Sequence, residues 1–213
     1  MTEAIESVTT AHPLRVAVDG PPAAGKTTVA DDLALLLRAR GREVIRSSIE
    51  SFLFPRALRY RRGEHSPEGC YHDSFDYDAL RRVLLDPLGP NGDRRYQHAI
   101  YNFRTDTALS QPVRTAPVDT VLLFDGVFLL RPELIDRWDL RIFVSATFER
   151  TLNRARIRDQ ALLGSTAEVD RRFRDRYIPA QELYFATTRP TDQADVIVHN
   201  DEPQRPAWEV RPH

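Results

Sequence analysis

Lysine occurs once in the 213 residues, at Lys26, and the other 29 of the 30 basic residues are arginine. A guanine-reading Asn-Lys-x-Asp element needs a second lysine, so a GTPase switch is excluded. Cysteine is as scarce. Cys70 on its own forbids an internal disulfide or a multi-cysteine zinc site, accords with a reducing compartment, and reads as an incidental thiol. Long apolar runs are missing too. None approaches the roughly 18 residues of a membrane-spanning helix, and the first dozen residues carry acids without a positive stretch ahead of an apolar core. The expectation is a soluble, cytoplasmic protein with no membrane partner. Nor is there a charge excess: a net charge of −1, with 29% charged residues, offers no bulk attraction to nucleic acid. A motor or helicase is set aside on that ground and on chain length. What remains is enough chain for one domain, 41% apolar, whose partner is expected to be a small molecule; self-association stays open.

Against that background the stretch from Leu14 to Thr28, LRVAVDGPPAAGKTT, stands out. Leu14, Val16 and Val18 form a short apolar run suited to a buried parallel strand, and Asp19-Gly20-Pro21-Pro22 stops it. Gly20-x-x-x-x-Gly25-Lys26-Thr27 fits the Walker A pattern, and an apolar-periodic helix continues from Thr28 to Leu37. Glycines at 20 and 25 allow successive backbone N–H groups to curl around an anion at a helix N-terminus. The nucleotide-binding set is therefore Gly20, Ala23, Ala24, Gly25, Lys26, Thr27 and Thr28. Lys26 is expected to reach the β- and γ-phosphates of ATP or GTP, and the Thr27 hydroxyl to ligate the bridging Mg²⁺. A lysine kept only here fits that role, because a compact charge on a flexible stem is not interchangeable with a planar guanidinium.

Around this loop the rest falls into order. Residues 1–13 read as a flexible arm, 14–200 as the P-loop domain, and 201–213, with Pro203, Pro206 and Pro212, as an irregular tail. Arg40-Gly41-Arg42 ends the loop helix with glycine just past it. A second strand over 43–49 then delivers Glu50 at its carboxyl end, where open parallel sheets bind ligands. Residues 51–75 read either as an insertion folding over a substrate or as a solvated loop whose aromatics pack locally. Ser74 or Asp76 caps a helix that runs to Leu85 and breaks at Asp86-Pro87. Within 95–115, a strand at 95–103 and a return toward Val113 predict a β-hairpin on the substrate side.

Val121-Leu122-Leu123-Phe124-Asp125-Gly126 is an apolar strand ending in a carboxylate, the Walker B arrangement, in which Asp125 binds magnesium directly or through water. A strand at 140–144 follows. A helix over 148–163 places Arg150, Arg154 and Arg158 on one face, and Gly164-Ser165-Thr166 breaks it. An arginine-rich helix from Asp170 to Thr187, kinked at Pro179, makes 160–176 a lid over transferring phosphates. Each of these arginines taken singly reads as a solvated face. With a last strand at 194–198 the sum is an α/β fold of P-loop NTPase type. It has five parallel strands, near Leu14, Val44, Val121, Leu140 and Asp195, helices on both faces, and a small hairpin and lid.

These residues resemble the uridine kinase family of P-loop nucleoside kinases, bacterial uridine kinase-like proteins included. The resemblance runs from Leu14 to Val198 through DGPPAAGKTT at 19–28, the strand end at 48–52, HDSFDYDAL at 72–80, IYNF at 100–103, LLFDG at 122–126, RARIRD at 154–159 and QADVIV at 193–198. It implies that Glu50, where the family has aspartate, takes the proton of a ribose 5′-hydroxyl or joins Thr27 and Asp125 at the metal. Asp125 itself replaces a common glutamate. It also implies that Tyr101 flanks a nucleobase, that Asp73 contacts the substrate, and that Arg154 and Arg158 stabilise charge on the transferred phosphate. Asp106 stands where the family uses histidine near the base, an acceptor in place of a donor, and Gly69 and Cys70 stand where an aromatic and an aspartate are usual. The activity implied is ATP- or GTP-dependent phosphorylation of a pyrimidine nucleoside. Its alternatives are another hydroxyl acceptor, such as pantothenate, a sugar or a specialised metabolite, and a nucleotide-binding regulatory module with weakened activity.

Overall fold

A computed structural model describes residues 1–211. Its strands are β1 (Leu14–Asp19), β2 (Val44–Ser48), β3 (Arg95–Tyr96), β4 (Tyr101–Asn102), β5 (Thr107–Ala108), β6 (Arg114–Thr115), β7 (Val121–Gly126), β8 (Leu140–Ser145), β9 (Val196–His199) and β10 (Ala207–Val210). Six of them form the main sheet in the order β10-β9-β8-β1-β7-β2. β1 lies near the middle because all six of its residues are buried, Leu14, Val16 and Val18 toward one apolar cluster and Ala17 toward the other. Its one basic residue, Arg15, is tolerated there by a two-pronged pairing with Asp139, Nη2 to Oδ1 at 2.9 Å and Nε to Oδ2 at 3.1 Å.

The helices are α1 (Thr2–Ser7), α2 (Lys26–Ala39), α3 (Arg56–Arg59), α4 (Pro67–His72), α5 (Tyr77–Leu80), α6 (Phe148–Arg158), α7 (Gln160–Leu163), α8 (Thr166–Arg172), α9 (Ile178–Thr188) and α10 (Pro190–Gln193). α2 packs its Ala30, Leu33, Ala34 and Leu37 stripe on the face of β1 that carries Val16 and Val18. α4 and α9 pack together on the other face, where Tyr71, Phe128 and Tyr184 stack edge to face or tilted. Asp76, not Ser74, caps α5, accepting from the Ala79 N–H at 2.8 Å.

Five expectations need correction. The five parallel strands are present, but the sheet is six-stranded and mixed, since β10 runs antiparallel to β9. β10 comes from the stretch read as an irregular tail: Pro203 and Pro206 lie before the strand and only delimit it, while Pro212 falls outside the described residues. The N-terminal arm is a docked helix. Ile5 is buried in the cluster that holds Leu33 and Leu37, and Glu6 pairs with Arg40 at 2.5 Å; six residues are too few to show a helical period. The single hairpin at 95–115 is two short antiparallel pairs, β3 with β6 and, nested inside, β4 with β5. Finally, the helix over 170–187 is α8 and α9 joined through a π-helical turn at Phe173–Tyr177. Pro179 lacks an N–H and crowds the carbonyl four residues back, and the wider turn just before it absorbs that.

Candidate active site

Parallel register decides where the chemistry gathers. Asp125 on β7 is level with Val18 on β1 and Ser48 on β2, so the P-loop, the Walker B acid and the segment carrying Glu50 all leave the sheet at one edge. β1 is also where strand order reverses, the place at which such sheets bind ligands. The loop after β1 needs its glycines. Gly20 has φ of 149° and Gly25 of 102°, and a Cβ would strike the Val144 carbonyl at the first and the Asn200 side-chain amide at the second.

Lys26 opens α2, is 8% exposed, and donates from Nζ to the Pro21 carbonyl at 2.7 Å. Thr27 Oγ1 donates to Asp125 Oδ2 at 2.7 Å, and Arg46 Nη2 holds the other oxygen, Oδ1, at 2.9 Å. Glu50 sits in a single 3₁₀ turn, Ile49–Phe52, whose entry is capped by the Ser48 hydroxyl accepting from the Glu50 N–H at 3.3 Å. Its side chain is open to the solvent of the cleft, yet protein surrounds it on most sides. That enclosure raises its pKa, with Asp125 adding to the effect and Lys26 and Arg158 opposing it.

Burial pushes the Lys26 ammonium down to about 8, against the pull of Asp19, Asp125 and Glu50. Phosphate oxygens would draw it back up. Nucleotide binding is therefore expected to take up a proton above a pH of about 8, and affinity to fall as the pH rises through that value, by up to about tenfold per unit. Calorimetry at about pH 9 in buffers of different ionisation heat reads the uptake; an enthalpy independent of buffer would show that Lys26 keeps its proton without nucleotide.

The model of the Phosphoribulokinase / Uridine kinase family matches residues 16–204. The chain belongs to this family. It is a P-loop kinase, drawing on a nucleotide donor and passing phosphate to a small molecule. Uridine-cytidine kinase B of Dictyostelium discoideum is 29% identical over 189 residues, which is 88% of this chain and 74% of that protein. Among solved structures, that of a possible uridine kinase from Bacillus stearothermophilus superposes with a TM-score of 0.72 at 24% identity, covering 92% of this chain and 94% of the other. D-glycerate 3-kinase from Cryptococcus neoformans var. grubii gives 0.67 at 17%, covering 99% and 95%. Proteins named for different acceptors share this fold, so the fold alone does not choose one. No helix among the described residues is long and apolar enough to cross a membrane.

The kinase cleft measures about 1490 Å³, room for a nucleotide and an acceptor together, and is lined by Gly25, Lys26, Thr27, Glu50, Asp125 and Arg158 among others. Of the expected nucleotide-binding residues, Ala24 is buried beneath the loop, and its carbonyl accepts from Asn200 Nδ2 at 2.7 Å and from Arg154 Nη1 at 3.3 Å. Arg154 also donates to the carbonyls of Asn200 and Asp201, so it clamps the P-loop to the end of β9. Arg158 pairs with Asp159 at 2.6 Å and faces Glu50 and Lys26. At the end of α8 and in the turn after it, Arg172 binds Glu64 and Glu168, and Arg176 donates to the carbonyls of Glu64 and Ser66 at 3.1 and 3.0 Å. Those two arginines tie the 172–176 stretch to residues 64–66.

The expected substrate residues are not brought to the cleft surface. Asp73 is buried and held by Arg61 at 2.5 Å and Arg62 at 2.6 Å, and Asp106 accepts from the Tyr101 hydroxyl, the Arg56 N–H and Arg59; none of Asp73, Tyr101 and Asp106 is among the lining residues. Two groups escaped sequence reasoning. Asp19, fully buried, accepts from the Gly20 N–H at 2.7 Å and from the Tyr184 hydroxyl, which in turn accepts from the Leu130 N–H at 3.0 Å. This links the P-loop to α9 across 165 residues of sequence, a distance no local pattern reveals. Tyr184→Phe deletes both bonds of the hydroxyl and is expected to cost about 1–3 kcal/mol, read as a lower urea midpoint at unchanged slope. The other is Gln181, 1% exposed and lining the cleft, with neither side-chain polar atom partnered.

Proposed function

We propose that this kinase transfers the terminal phosphoryl group of ATP or GTP to the 5′-hydroxyl of a pyrimidine nucleoside. The observation that carries this reading is the meeting of Glu50, Lys26 and the Thr27–Asp125 pair at the ends of β1, β2 and β7. A hydroxyl oxygen beside Glu50 loses its proton to the carboxylate as it bonds to the γ-phosphorus. The bond from that phosphorus to the bridging oxygen breaks, and the nucleoside diphosphate leaves. A carboxyl whose pKa is raised by enclosure is a better proton acceptor than an exposed one. Lys26 and Arg158 offset charge on the phosphoryl oxygens.

Thr27 and Asp125, hydrogen-bonded to each other with Glu50 close by, supply the hard oxygen donors that Mg²⁺ takes. Among the described residues no three His, Cys, Asp or Glu side chains cluster as a metal cage. An ion here would be held by one or two carboxylates and by substrate phosphates. Bound there, the ion would neutralise phosphate charge.

A second reading changes the acceptor to a sugar, pantothenate or another hydroxyl compound. It is favoured by Asp106, whose carboxylate is engaged by Tyr101 and Arg59 rather than facing the cleft. Transfer from ATP with magnesium across uridine, cytidine, other nucleosides, pantothenate and simple sugars, followed by mass spectrometry with Lys26→Ala as the blank, separates the two. Uridine or cytidine monophosphate, absent from the blank, supports the first reading. Product only from a non-nucleoside supports the second, and nucleotide binding without any transfer would point to a regulatory module.

A further inference from the structure

Seven buried side-chain nitrogen and oxygen atoms among the described residues lack a hydrogen-bond partner, and three of the seven belong to residues lining the cleft: Gln181 Oε1, Gln181 Nε2 and Arg59 Nε. Buried polar atoms are normally paired, so unpartnered ones on residues that line a ligand cleft are candidates to meet a partner that arrives with the ligand. Gln181 is the stronger case. It is 1% exposed, lies one turn before Tyr184 on α9, and shares that helix's anchorage to Asp19 at the P-loop. Both ends of its amide are orphaned, so turning the group over satisfies neither. None of the motifs that mark the nucleotide site contains it.

The surroundings narrow the chemistry. Phe75, Phe128 and Tyr177 line the same cleft, the first two with ring centroids 6.5 Å apart. Such walls take a flat, uncharged ring. A primary amide offers one donor beside one acceptor, the complement of a planar edge that presents one acceptor beside one donor.

We infer that Gln181 reads the phosphate acceptor, pairing its amide with the lactam or amidine edge of a pyrimidine-type ring held against these aromatic side chains. The inference rests on the kinase reading above and narrows its acceptor to molecules bearing such an edge. Gln181 is a specificity residue and takes no part in the proton or phosphoryl transfer.

The test is binding, so that it does not depend on turnover. Uridine, cytidine and ribose are titrated calorimetrically into the full chain saturated with a non-hydrolysable ATP analogue and magnesium, comparing wild type with Gln181→Met and Gln181→Glu. Met keeps the volume and removes both polar atoms; Glu keeps an acceptor, removes the donor, and serves if Met does not fold. The expected result is a loss of nucleoside affinity of about 10- to 100-fold in either variant, with ribose and nucleotide affinities unchanged. Nucleoside binding that is equal in wild type and variants overturns the inference and leaves Gln181 a purely structural residue. Failure of wild type to bind either nucleoside also overturns it. If the acceptor panel then shows transfer to a sugar or to pantothenate, the kinase reading survives that failure; if nothing is phosphorylated, both fall. Binding of nucleosides without transfer, lost in the variants, upholds the inference while the transfer reading fails.

Discussion

Glu50→Gln is expected to lower kcat for phosphoryl transfer by about 10²- to 10⁴-fold while the KM for nucleotide stays within about twofold. The amide keeps the shape of the side chain and its place in the 3₁₀ turn but cannot take a proton. Nucleotide contacts made by the P-loop are untouched, which is why the loss belongs in kcat. The pH profile carries a second signature. Enclosure by protein raises the Glu50 pKa, so in wild type the basic form is lost, and kcat/KM with it, as the pH falls through a value above the ordinary carboxylate range. That acidic limb is expected to vanish in the Gln variant. An unchanged kcat would remove Glu50 as the base. A large rise in magnesium requirement with little change in saturated kcat would assign it to the metal instead.

Lys26→Arg is expected to abolish transfer nearly as completely as Lys26→Ala, by about 10²- to 10³-fold or more, although it conserves charge. Lys26 is 8% exposed and its ammonium already reaches the Pro21 carbonyl at 2.7 Å, a space shaped for a single nitrogen on a slim stem. A guanidinium brings a planar fork that has to displace the loop whose N–H groups hold the phosphates. The chain uses arginine at the other 29 basic positions, so tolerance of arginine is general in this protein and its failure here would be local. A Lys26→Arg enzyme with more than about one tenth of wild-type kcat/KM would show that the position needs only a positive charge.

The parts of this fold legible in the sequence are those where a local pattern and a chemical need coincide. The P-loop, the Asp125 strand end and the five parallel strands are of this kind: each is a contiguous run whose residues face the same neighbours along their length. Glu50 could be placed because a strand end determines which edge it occupies, though not that protein would enclose it. What could not be read was set by partners far along the chain. The resemblance implied that Arg154 stabilises charge on the transferred phosphate; that the carbonyls of residues 23, 24, 200 and 201 also engage its guanidinium is set by partners up to 131 positions away. Asp73 and Asp106 matched positions that imply substrate contact, but arginines of the 56–62 stretch reach them first. β10 was missed because prolines ahead of it suggested irregularity, and α1 because six residues carry too little period to measure.

The π-helical turn at Phe173–Tyr177 has a consequence for how this rod can change. A π turn spends one residue more than an α turn, so the side chains beyond it are rotated by about 100° from where an unbroken α-helix would put them. Arg172, before the turn, points at Glu64; Gln181 and Tyr184, after it, point at the cleft and at Asp19. Deleting one residue from the turn would put the two halves back into a single phase, and one set of contacts would have to be given up for the other. The turn therefore acts as a joint between two separately set azimuths, letting the tie to residues 64–66 and the wall of the cleft be altered independently along one continuous helix.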